Sequence, residues 1–488
     1  MSKNKLNDLY INAINRIKKG LFYDAENILL FILENEYVNG LYFQLGFVYF
    51  SQSKYNKCIE YFEKSIDKNE LVIKSYYNIG LSYKGNHYKA ISYIQKVINI
   101  FKNNNKLVQD EMFNFCKFYQ ILSIIYKYIG DYDNSRKYAL ISIKEDKYNT
   151  ESIHIISSFT NSVNNSEYLK LLDSYKKKLS YIEKKGNNLY TSLLYFSLGK
   201  SENELGDYKK SFEYYTKGNK FKSLHHQRLF PIEPNYENIK NNIFTKYNNY
   251  DLTKISKTKN YPQVIFIVGL PRSGSTLIET IISYKSRTKS LGEYIGIVDA
   301  LHFNNVDYYF NNLNKFIDIN NLENIDFLID KQLVNFKNIP FLIKNFNNCK
   351  IINMIRNPLD NILSMFTTNL HDVSLYNTTD FNLILKYYNF WCDVIKYWKE
   401  LYPNNIYDCY YDKIVDNPKK YISELFEYLE FEWSDDYLEF YKSKNNIGTA
   451  SNYQVKQPIY KTSSKRWINY SDYLKPIMKL LDENGIKY

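Results

Sequence analysis

The sequence has little cysteine and no long hydrophobic segment. Its 488 residues include five cysteines, and no two of them stand in the C-x-x-C spacing of redox and zinc sites. No apolar run approaches the roughly 20 residues of a membrane-spanning helix, and the N-terminal MSKNKLNDLY contains no apolar signal core. We therefore expect reduced thiols, a cytoplasmic location, no membrane span and no Cys/His metal site.

Negative charge is in the minority. The chain carries 64 Lys and Arg against 52 Asp and Glu, a formal net charge of +12. A basic surface favours anionic partners without selecting among them. The 51 tyrosines accompany many asparagines and lysines, and the chain contains no recognisable module that interleaves aromatics with Arg and Lys. We therefore expect no nucleic-acid partner.

The first 220 residues repeat a helical pattern. Leu45-Gly46-Phe47-Val48-Tyr49 returns as Ile79-Gly80-Leu81-Ser82-Tyr83, so that the two glycines stand 34 residues apart. This spacing is the tetratricopeptide period. Further helix–turn–helix signals have glycines at their turns, namely Gly20, Gly130 and Gly206. Residues 5–220 resemble tetratricopeptide repeats, less regular between Tyr148 and Lys185, and a generic helical bundle is the alternative.

The rest of the chain changes pattern twice. Residues 223–260 are interpreted as a linker with one helix at Tyr236–Tyr247, and His225-His226 as a solvated turn rather than a metal site. From residue 261 onward, strands alternate with helices, which predicts a parallel α/β sheet. The predicted strands are Val264–Val268, Ile325–Ile329, Ile351–Ile355 and Ile406–Tyr410, and the predicted helices are Ile278–Ser283, Leu359–Phe366, Phe381–Leu401 and Pro418–Leu429.

A Gly-bearing turn joins the first of these strands to a helix. Strand, turn and helix in this order form an anion cradle, because free N–H groups and the positive end of the helix dipole converge. Gly269, Gly274 and Thr276 fit the nucleoside-triphosphate P-loop, but Ser275 stands where that loop has its lysine. The cation of the turn is Arg272, whose fork can bind an oxyanion without a metal.

A second phosphate signal follows the strand Ile351–Ile355. That strand ends at Arg356, and Pro358 can open a helix. Ser364 lies about two helical turns beyond Arg356 and near the same face. An arginine and a hydroxyl can bind a separate phosphate. The alternative is that Arg356 pairs with a carboxylate and Ser364 is a packing residue.

Asp330, Lys331 and Tyr411 belong to the same predicted rim as Arg272 and Arg356, because ligands of parallel sheets bind at the carboxyl ends of the strands. Lys331 could stabilise developing charge, although the adjacent Asp330 could instead be the magnesium-binding carboxylate of a kinase. Tyr411 follows the last predicted strand.

These motifs resemble those of the sulfotransferases. The turn is similar to their P-[RK]-S-G-[TS]-T loop for the 5'-phosphosulfate, and Arg356 with Ser364 is similar to their 3'-phosphate pair. The stretch Ser451–Tyr460 (SNYQVKQPIY) and the following Lys465-Arg466-Trp467 resemble a segment of the protein-tyrosine sulfotransferases. Together with the repeats, the chain resembles the bacterial tetratricopeptide-repeat sulfotransferases, although Thr368 stands where the tyrosine-specific enzymes have a second arginine.

The resemblance implies an all-α tetratricopeptide solenoid at residues 1–222, a linker at 223–260, and an α/β P-loop-type sulfotransferase domain with a parallel sheet at 261–488. The implied co-substrate is 3'-phosphoadenylyl sulfate (PAPS), bound without a metal. The implied contacts to it are Arg272, Ser273, Gly274, Ser275 and Thr276 at the 5'-phosphosulfate, Arg356, Ser364 and Arg466 at the 3'-phosphate, and Tyr411 at the nucleotide.

The resemblance also implies the catalytic groups. Glu293 would take the proton of an acceptor hydroxyl, Lys331 and Arg272 would stabilise the leaving group, and Ser451 would assist; His302, and then His371, are the next candidates for the base. The acceptor would be a peptide, protein or glycan, recruited by the repeats. The alternatives are a P-loop kinase that uses ATP and magnesium, and a repeat scaffold with an inactive transferase domain.

Overall fold

The computed structural model describes residues 3–52, 54–83, 86–103, 115–229, 233–248, 262–284, 287–302, 305–313, 325–370, 378–442, 455–460 and 463–488. The chain divides into two compact units. One comprises Met1–Lys147 with Asn311–Ile319, and the other comprises Tyr148–Phe310 with Asn320–Tyr488. None of the helices in the described ranges combines the length and the apolar character needed to cross a membrane.

The first unit is built of consecutive helices that pack against one another. They are α1 (Lys3–Lys18), α2 (Phe22–Asn35), α3 (Leu41–Ser51), α4 (Tyr55–Asp67), α5 (Val72–Ser82), α6 (His87–Asn103), α7 (Phe115–Tyr128) and α8 (Tyr132–Glu145). A Cβ at Gly46 would lie 2.7 Å from the ring of Phe62, and one at Gly80 would lie 2.8 Å from Ile94. The repeated glycines are therefore the points where paired helices approach most closely, and the predicted helix pairs are confirmed.

The second unit also begins with helices. They are α9 (Thr150–Phe159), α10 (Ser166–Lys176), α11 (Leu179–Lys184), α12 (Asn188–Glu204), α13 (Tyr208–Leu229) and α14 (Tyr236–Asn248). The interpretation of His225-His226 as a solvated turn is wrong, because both lie in α13 and His226 is buried. The same face of α13 packs against C-terminal segments, where Asn219 Nδ2 donates to the carbonyl oxygen of Phe366 at 2.8 Å. The predicted domain limits stay predictions, and α13 runs through residues 222 and 223.

Five parallel strands form the sheet of the second unit. They are β1 (Gln263–Gly269), β2 (Thr288–Gly292), β3 (Phe327–Asp330), β4 (Lys350–Ile355) and β5 (Ile406–Tyr410), in the order β2-β3-β1-β4-β5. The parallel sheet is confirmed. Strand β3 begins two residues later than the predicted Ile325, and β2 was not predicted, because its short sequence TKSLG has no apolar run.

The remaining helices connect and cover the strands. They are α15 (Ser275–Ile282), α16 (Gly296–His302), α17 (Asp307–Leu313), α18 (Ile339–Asn345), α19 (Pro358–Phe366), α20 (Phe381–Leu401), α21 (Tyr411–Asp416), α22 (Pro418–Leu429) and α23 (Ser471–Glu483), with 3-10 turns at Leu333–Asn338, Asp435–Lys442 and Arg466–Tyr470. Strand isoleucines pack on α15 and α22 in one buried cluster that includes Ile267, Ile352, Ile281 and Phe426. Because the strands are parallel, their carboxyl ends lie along one edge of the sheet.

Candidate functional site

The turn between β1 and α15 is held against the neighbouring strands. Gly269 has φ 144°, and a Cβ there would lie 2.9 Å from the carbonyl oxygen of Met354 in β4. Gly274 has φ 95°, and a Cβ there would lie 2.2 Å from the ring of Tyr411, just after β5. Both backbone conformations favour glycine. The loop therefore packs closely against the carboxyl ends of β4 and β5.

Arg272 occupies the middle of this turn in a left-handed conformation, with φ 65°. Its Nε donates to the hydroxyl of Ser364 at 3.2 Å. Burial, and next the nearby Arg356 and Arg466, lower the pKa of Arg272 to about 10. Three guanidinium groups therefore converge on one region, where their mutual repulsion would be relieved by an anion.

Arg356 is the residue that connects this region to the C-terminal segment. Its Nη1 donates to the carbonyl oxygen of Arg272 at 2.9 Å, and its Nη2 donates to the carbonyl oxygen of Ser463 at 2.6 Å. The guanidinium lies 4.9 Å from the centre of the Tyr411 ring, and the Tyr411 hydroxyl is 2.6 Å from Ser463 Oγ. Four sequence-predicted residues, Arg272, Arg356, Ser364 and Tyr411, thus share one site.

Arg466 lies in a segment whose backbone is hydrogen-bonded to the buried carboxylate of Asp360. Asp360, which is 2% exposed, accepts hydrogen bonds from the backbone N–H groups of Lys465 at 2.6 Å and of Trp467 at 3.0 Å. These two residues flank Arg466. Asp412 supports the same segment, because it accepts a hydrogen bond from Ser464 Oγ at 3.0 Å.

We call the place where the guanidinium groups of Arg272, Arg356 and Arg466 converge the arginine region. The arginine region fits an anionic group. Within the described part of the chain, two buried polar atoms have no hydrogen-bond partner here, namely Ser273 Oγ and Arg356 Nε. Buried polar groups are usually paired, so these atoms indicate a missing ligand. Ser275 and Thr276 begin α15 directly beside them, which adds the positive end of a helix dipole. An oxyanion would satisfy each of these donors.

A second cluster lies at the ends of β2 and β3. The register between these strands shifts between Ser290 and Gly292, and the Lys331 N–H donates to the carbonyl oxygen of Gly292 at 2.9 Å. This arrangement brings Glu293 and Lys331 side by side. The Lys331 ammonium donates to Glu293 Oε1 at 2.8 Å, and the side chains are 1% and 55% exposed respectively.

Asp330 has both of its carboxylate oxygens engaged. It is fully buried, and it accepts hydrogen bonds from the Tyr309 hydroxyl at 3.0 Å and from the Gln332 N–H at 2.9 Å. Burial raises the pKa of Asp330 to about 7. Asp330 therefore stabilises the end of β3. The described residues contain no group of three or more His, Cys, Asp and Glu side chains that could hold a metal ion.

Several sequence-predicted residues fall elsewhere. Ser451 and His371 lie outside the described residues. His302 is exposed at the end of α16. Thr368 follows α19.

Sequence reasoning missed Glu279 and Asp360. Glu279 is fully buried and lies 3.7 Å from the Lys331 ammonium. The signal for it was an acidic residue within the apolar run of α15. The signal for Asp360 was an acidic residue in the first turn of α19, directly after Arg356 and Pro358.

Two parts of the chain match family models. Residues 300–435 match the model described as "Sulfotransferase family", and residues 40–67 match the model described as "Tetratricopeptide repeat". The first match includes Lys331, Arg356, Ser364 and Tyr411. The resemblance to sulfotransferases in the C-terminal half and to tetratricopeptide repeats in the N-terminal half is thereby confirmed.

A relative from Aquifex aeolicus (strain VF5), described as an uncharacterized protein, is 27% identical over 327 residues. The match covers 59% of this chain and 41% of the relative, so the chain spans about two fifths of that protein's length.

The solved structures similar to the chain include three sulfotransferases. The sulfotransferase domain from the curacin biosynthetic pathway is 15% identical, with a TM-score of 0.31 over 47% of this chain and 99% of that one. The sulfotransferase domain of the Synechococcus PCC 7002 olefin synthase is 17% identical, with a TM-score of 0.32 over 44% and 90%. The sulfotransferase STF1 from Mycobacterium tuberculosis H37Rv is 12% identical, with a TM-score of 0.29 over 61% and 98%.

Proposed function

We propose that this chain, which combines a sulfotransferase-family segment with a tetratricopeptide repeat, transfers a sulfuryl group from PAPS to an acceptor hydroxyl. The observation that carries the proposal is the convergence of Arg272, Arg356 and Ser364 beside a phosphate loop that has Ser275 in place of lysine. PAPS is anionic at both its 5' and 3' positions, whereas ATP has no 3'-phosphate to occupy the second position.

In this proposal the loop from Arg272 to Thr276 binds the 5'-phosphosulfate through its N–H groups and the Arg272 guanidinium. Arg356, Ser364 and Arg466 bind the 3'-phosphate, and Tyr411 packs beside the nucleotide. The orphaned Ser273 Oγ and Arg356 Nε support this assignment, because each gains a phosphate oxygen as its partner.

The chemical step uses the second cluster. When bound, PAPS supplies the sulfuryl group, and the acceptor oxygen forms a bond to sulfur as the bond from sulfur to the phosphate oxygen breaks. Glu293 takes the acceptor's hydroxyl proton, and its exposure of 55% makes it accessible to an entering hydroxyl. Lys331 donates a hydrogen bond to the oxygen that gains charge, and Ser451 assists.

The acceptor class is a protein tyrosine or a glycan hydroxyl, and the repeats recruit it. Stacked repeats commonly present an extended binding surface to a peptide or partner protein. We further propose a cytoplasmic location, because the five cysteines, all within the described ranges, form no disulfide.

Calorimetry would test the donor site directly. We expect adenosine 3',5'-bisphosphate to bind in the presence of EDTA. It should bind at least about tenfold more tightly than 5'-AMP, because the charge-assisted hydrogen bonds between arginine and the second phosphate increase the affinity by more than that factor. An Arg356→Met variant should lose the preference for the bisphosphate while retaining 5'-AMP binding. ATP binding that requires magnesium, without bisphosphate binding, would indicate the kinase instead.

The transfer itself would be tested with labelled PAPS and a panel of tyrosine peptides and glycans. Label on one acceptor class is the expected result. Tight binding of the bisphosphate without transfer to any acceptor would support the alternative of a repeat scaffold with an inactive transferase domain.

A further inference from the structure

Glu279 is a buried carboxylate directly behind Lys331. It projects from α15 and is 0% exposed. Its Oε1 accepts a hydrogen bond from the hydroxyl of Ser290 on β2 at 2.5 Å. Its Oε2 lies 3.7 Å from the Lys331 ammonium and has no hydrogen-bond partner among the described residues. The carboxylate is therefore oriented by one oxygen and faces the ammonium with the other.

Lys331 lies between two carboxylates of different character. The ammonium is 2.8 Å from Glu293, whose side chain is 55% exposed, and 3.7 Å from Glu279, whose side chain is 0% exposed. Lys331 itself is 1% exposed. A buried ammonium without a counter-charge is unstable and loses its proton. Glu293 can turn toward solvent or a ligand, whereas packing fixes Glu279 in place.

We propose that Glu279 is a positioning residue, which keeps Lys331 charged and correctly oriented while Glu293 acts as the base. This inference rests on the proposed function. In the transfer, the acceptor proton moves to the Glu293 carboxylate, which becomes neutral at the moment when the leaving oxygen gains its electron pair. Lys331 then loses its nearest anion, and Glu279 remains as the counter-charge that keeps the ammonium available to that oxygen.

The other groups around the pair support this division of roles. Asp330 at the end of β3 has a pKa raised to about 7 by burial, and it accepts a hydrogen bond from Tyr309 of α17. Burial also raises the pKa of Glu279, while Lys331 and the Ser290 hydroxyl lower it. Glu279 is therefore the buried acid whose carboxylate faces the ammonium, whereas the carboxylate of Asp330 is hydrogen-bonded to Tyr309 and to the Gln332 N–H.

Glu279→Gln tests the proposal, because glutamine has the same size and can still accept from Ser290. We expect kcat to fall about tenfold or more, with the dissociation constant of adenosine 3',5'-bisphosphate within about threefold of wild type. The alkaline limb of the kcat–pH profile should move to lower pH, since loss of a neighbouring carboxylate disfavours the charged form of an ammonium. Glu279→Asp should recover part of the lost kcat.

Glu202→Gln is the matched control. Glu202 is also a shielded glutamate, 9% exposed, with Lys176 at 2.8 Å, and it is not among the residues proposed to bind PAPS or to take part in the transfer. Its variant should keep the wild-type kcat and pH profile. If Glu279→Gln has the wild-type profile, or loses kcat without moving the alkaline limb, the proposal is overturned.

A second variant, Ser290→Ala, tests the proposal if Glu279→Gln does not fold. If Glu279→Gln melts too low to assay, Ser290→Ala removes the hydroxyl that orients Oε1 and that also accepts the Gly292 N–H at 3.1 Å, and it should lower kcat in the same direction by a smaller factor. An unchanged kcat in that variant would overturn the proposal. Absence of transfer by the wild-type protein would instead refute the proposed function, whatever the variants do.

Discussion

Glu293 differs from the acids around it in its access to solvent. Its side chain is 55% exposed, whereas Glu279 and Asp330 are fully buried. Its carboxylate accepts a hydrogen bond from Lys331. An accessible carboxylate next to a buried ammonium is suited to receive a proton from a molecule that arrives from outside, whereas Glu279 and Asp330 are suited to hold fixed groups in place.

Glu293→Ala should lower turnover by about 10²–10⁴, which is the usual effect of removing a positioned base. The affinity for adenosine 3',5'-bisphosphate should stay within about twofold, because the arginine region does not include Glu293. Glu439→Ala serves as the control, since Glu439 is also an exposed glutamate with a lysine, Lys442, at 2.8 Å. If turnover survives in Glu293→Ala, the base is elsewhere, and His302 is the next residue to replace.

The sequence predicted residues that follow strands better than residues that support them. Arg272, Arg356 and Tyr411 each follow a strand, so a local pattern indicated the shared rim. Asp360 contacts the N–H groups of residues 465 and 467, more than a hundred positions along the chain. No local pattern reveals such a partner.

At the scale of elements, a strand that contains an apolar run is easier to predict from the sequence than a strand that lacks one. Strands β1 and β4 are buried and rich in isoleucine and valine, and their positions follow from those runs. Strand β5, at the other edge of the sheet, is only partly buried, but its Ile406 and Cys409 are buried and its predicted bounds are those of the structure. Strand β2 lies at the edge of the sheet beside β3 alone, and it is only partly buried. An edge strand of this kind lacks the continuous apolar signal of a central parallel strand.

Helix α13 illustrates a different limit. Its polar sequence suggested a solvated turn at His225-His226, yet His226 is buried, as are Asn219 and Lys222 earlier in the helix. The Lys222 ammonium donates to Thr378 Oγ1 at 2.9 Å, and burial lowers the pKa of Lys222 from 10.5 to about 7. Only the tertiary contact explains why this polar face is covered.

Lys222→Met should raise the melting temperature at pH 6 by about 2–4 °C, because methionine removes a buried charge at similar volume. The advantage should shrink as pH rises from 7 toward 10, since the folded wild type then loses the proton that the unfolded chain keeps. Scanning calorimetry at several pH values provides the measurement. A melting-temperature difference between Lys222→Met and wild type that widens as pH rises would contradict the expected titration.

The segment that carries Arg466 depends on one helix. Asp360 lies in the first turn of α19 and accepts two backbone N–H groups that flank Arg466. Hydrogen bonds to a charged acceptor are each worth about 1.5–3 kcal/mol. The position of the arginine thus follows from α19, the helix that also carries Ser364.

Asp360→Ala should weaken binding of adenosine 3',5'-bisphosphate by about tenfold or more, because Arg466 is no longer held in the position where we propose that it binds the 3'-phosphate. Binding of 5'-AMP should change much less. Calorimetry on both ligands separates the two effects, and Asp435→Ala, which removes an exposed carboxylate, is the control. Equal losses for both ligands would indicate general damage to the site.

At the scale of the whole molecule, charge is the feature that acts at a distance. The net charge of +12 and the arginine region have the same sign, so a ligand with two phosphate groups approaches in a favourable field. Such an effect is screened by salt on the scale of a Debye length of about 8 Å at physiological ionic strength.

Raising NaCl from about 50 mM to about 500 mM should therefore weaken bisphosphate binding several-fold, on the order of three- to tenfold. The loss should be larger than for 5'-AMP, which carries one phosphate fewer. Calorimetry at matched pH provides both values. A salt dependence that is the same for the two nucleotides would mean that the second phosphate is not bound by the arginines.

The burial of α13 has a practical consequence for protein engineering. Its Ser211 lies 2.9 Å from the Tyr470 hydroxyl, and its Phe212 stacks on Tyr473 at 4.1 Å, so the helix that ends the repeat-like region is also part of the core around the C-terminal helix. A chimera that exchanges the repeats would have to be spliced near Tyr148, where the second compact unit begins. A graft joined at residue 222 would cut through that core and leave the recipient without half of a hydrophobic contact.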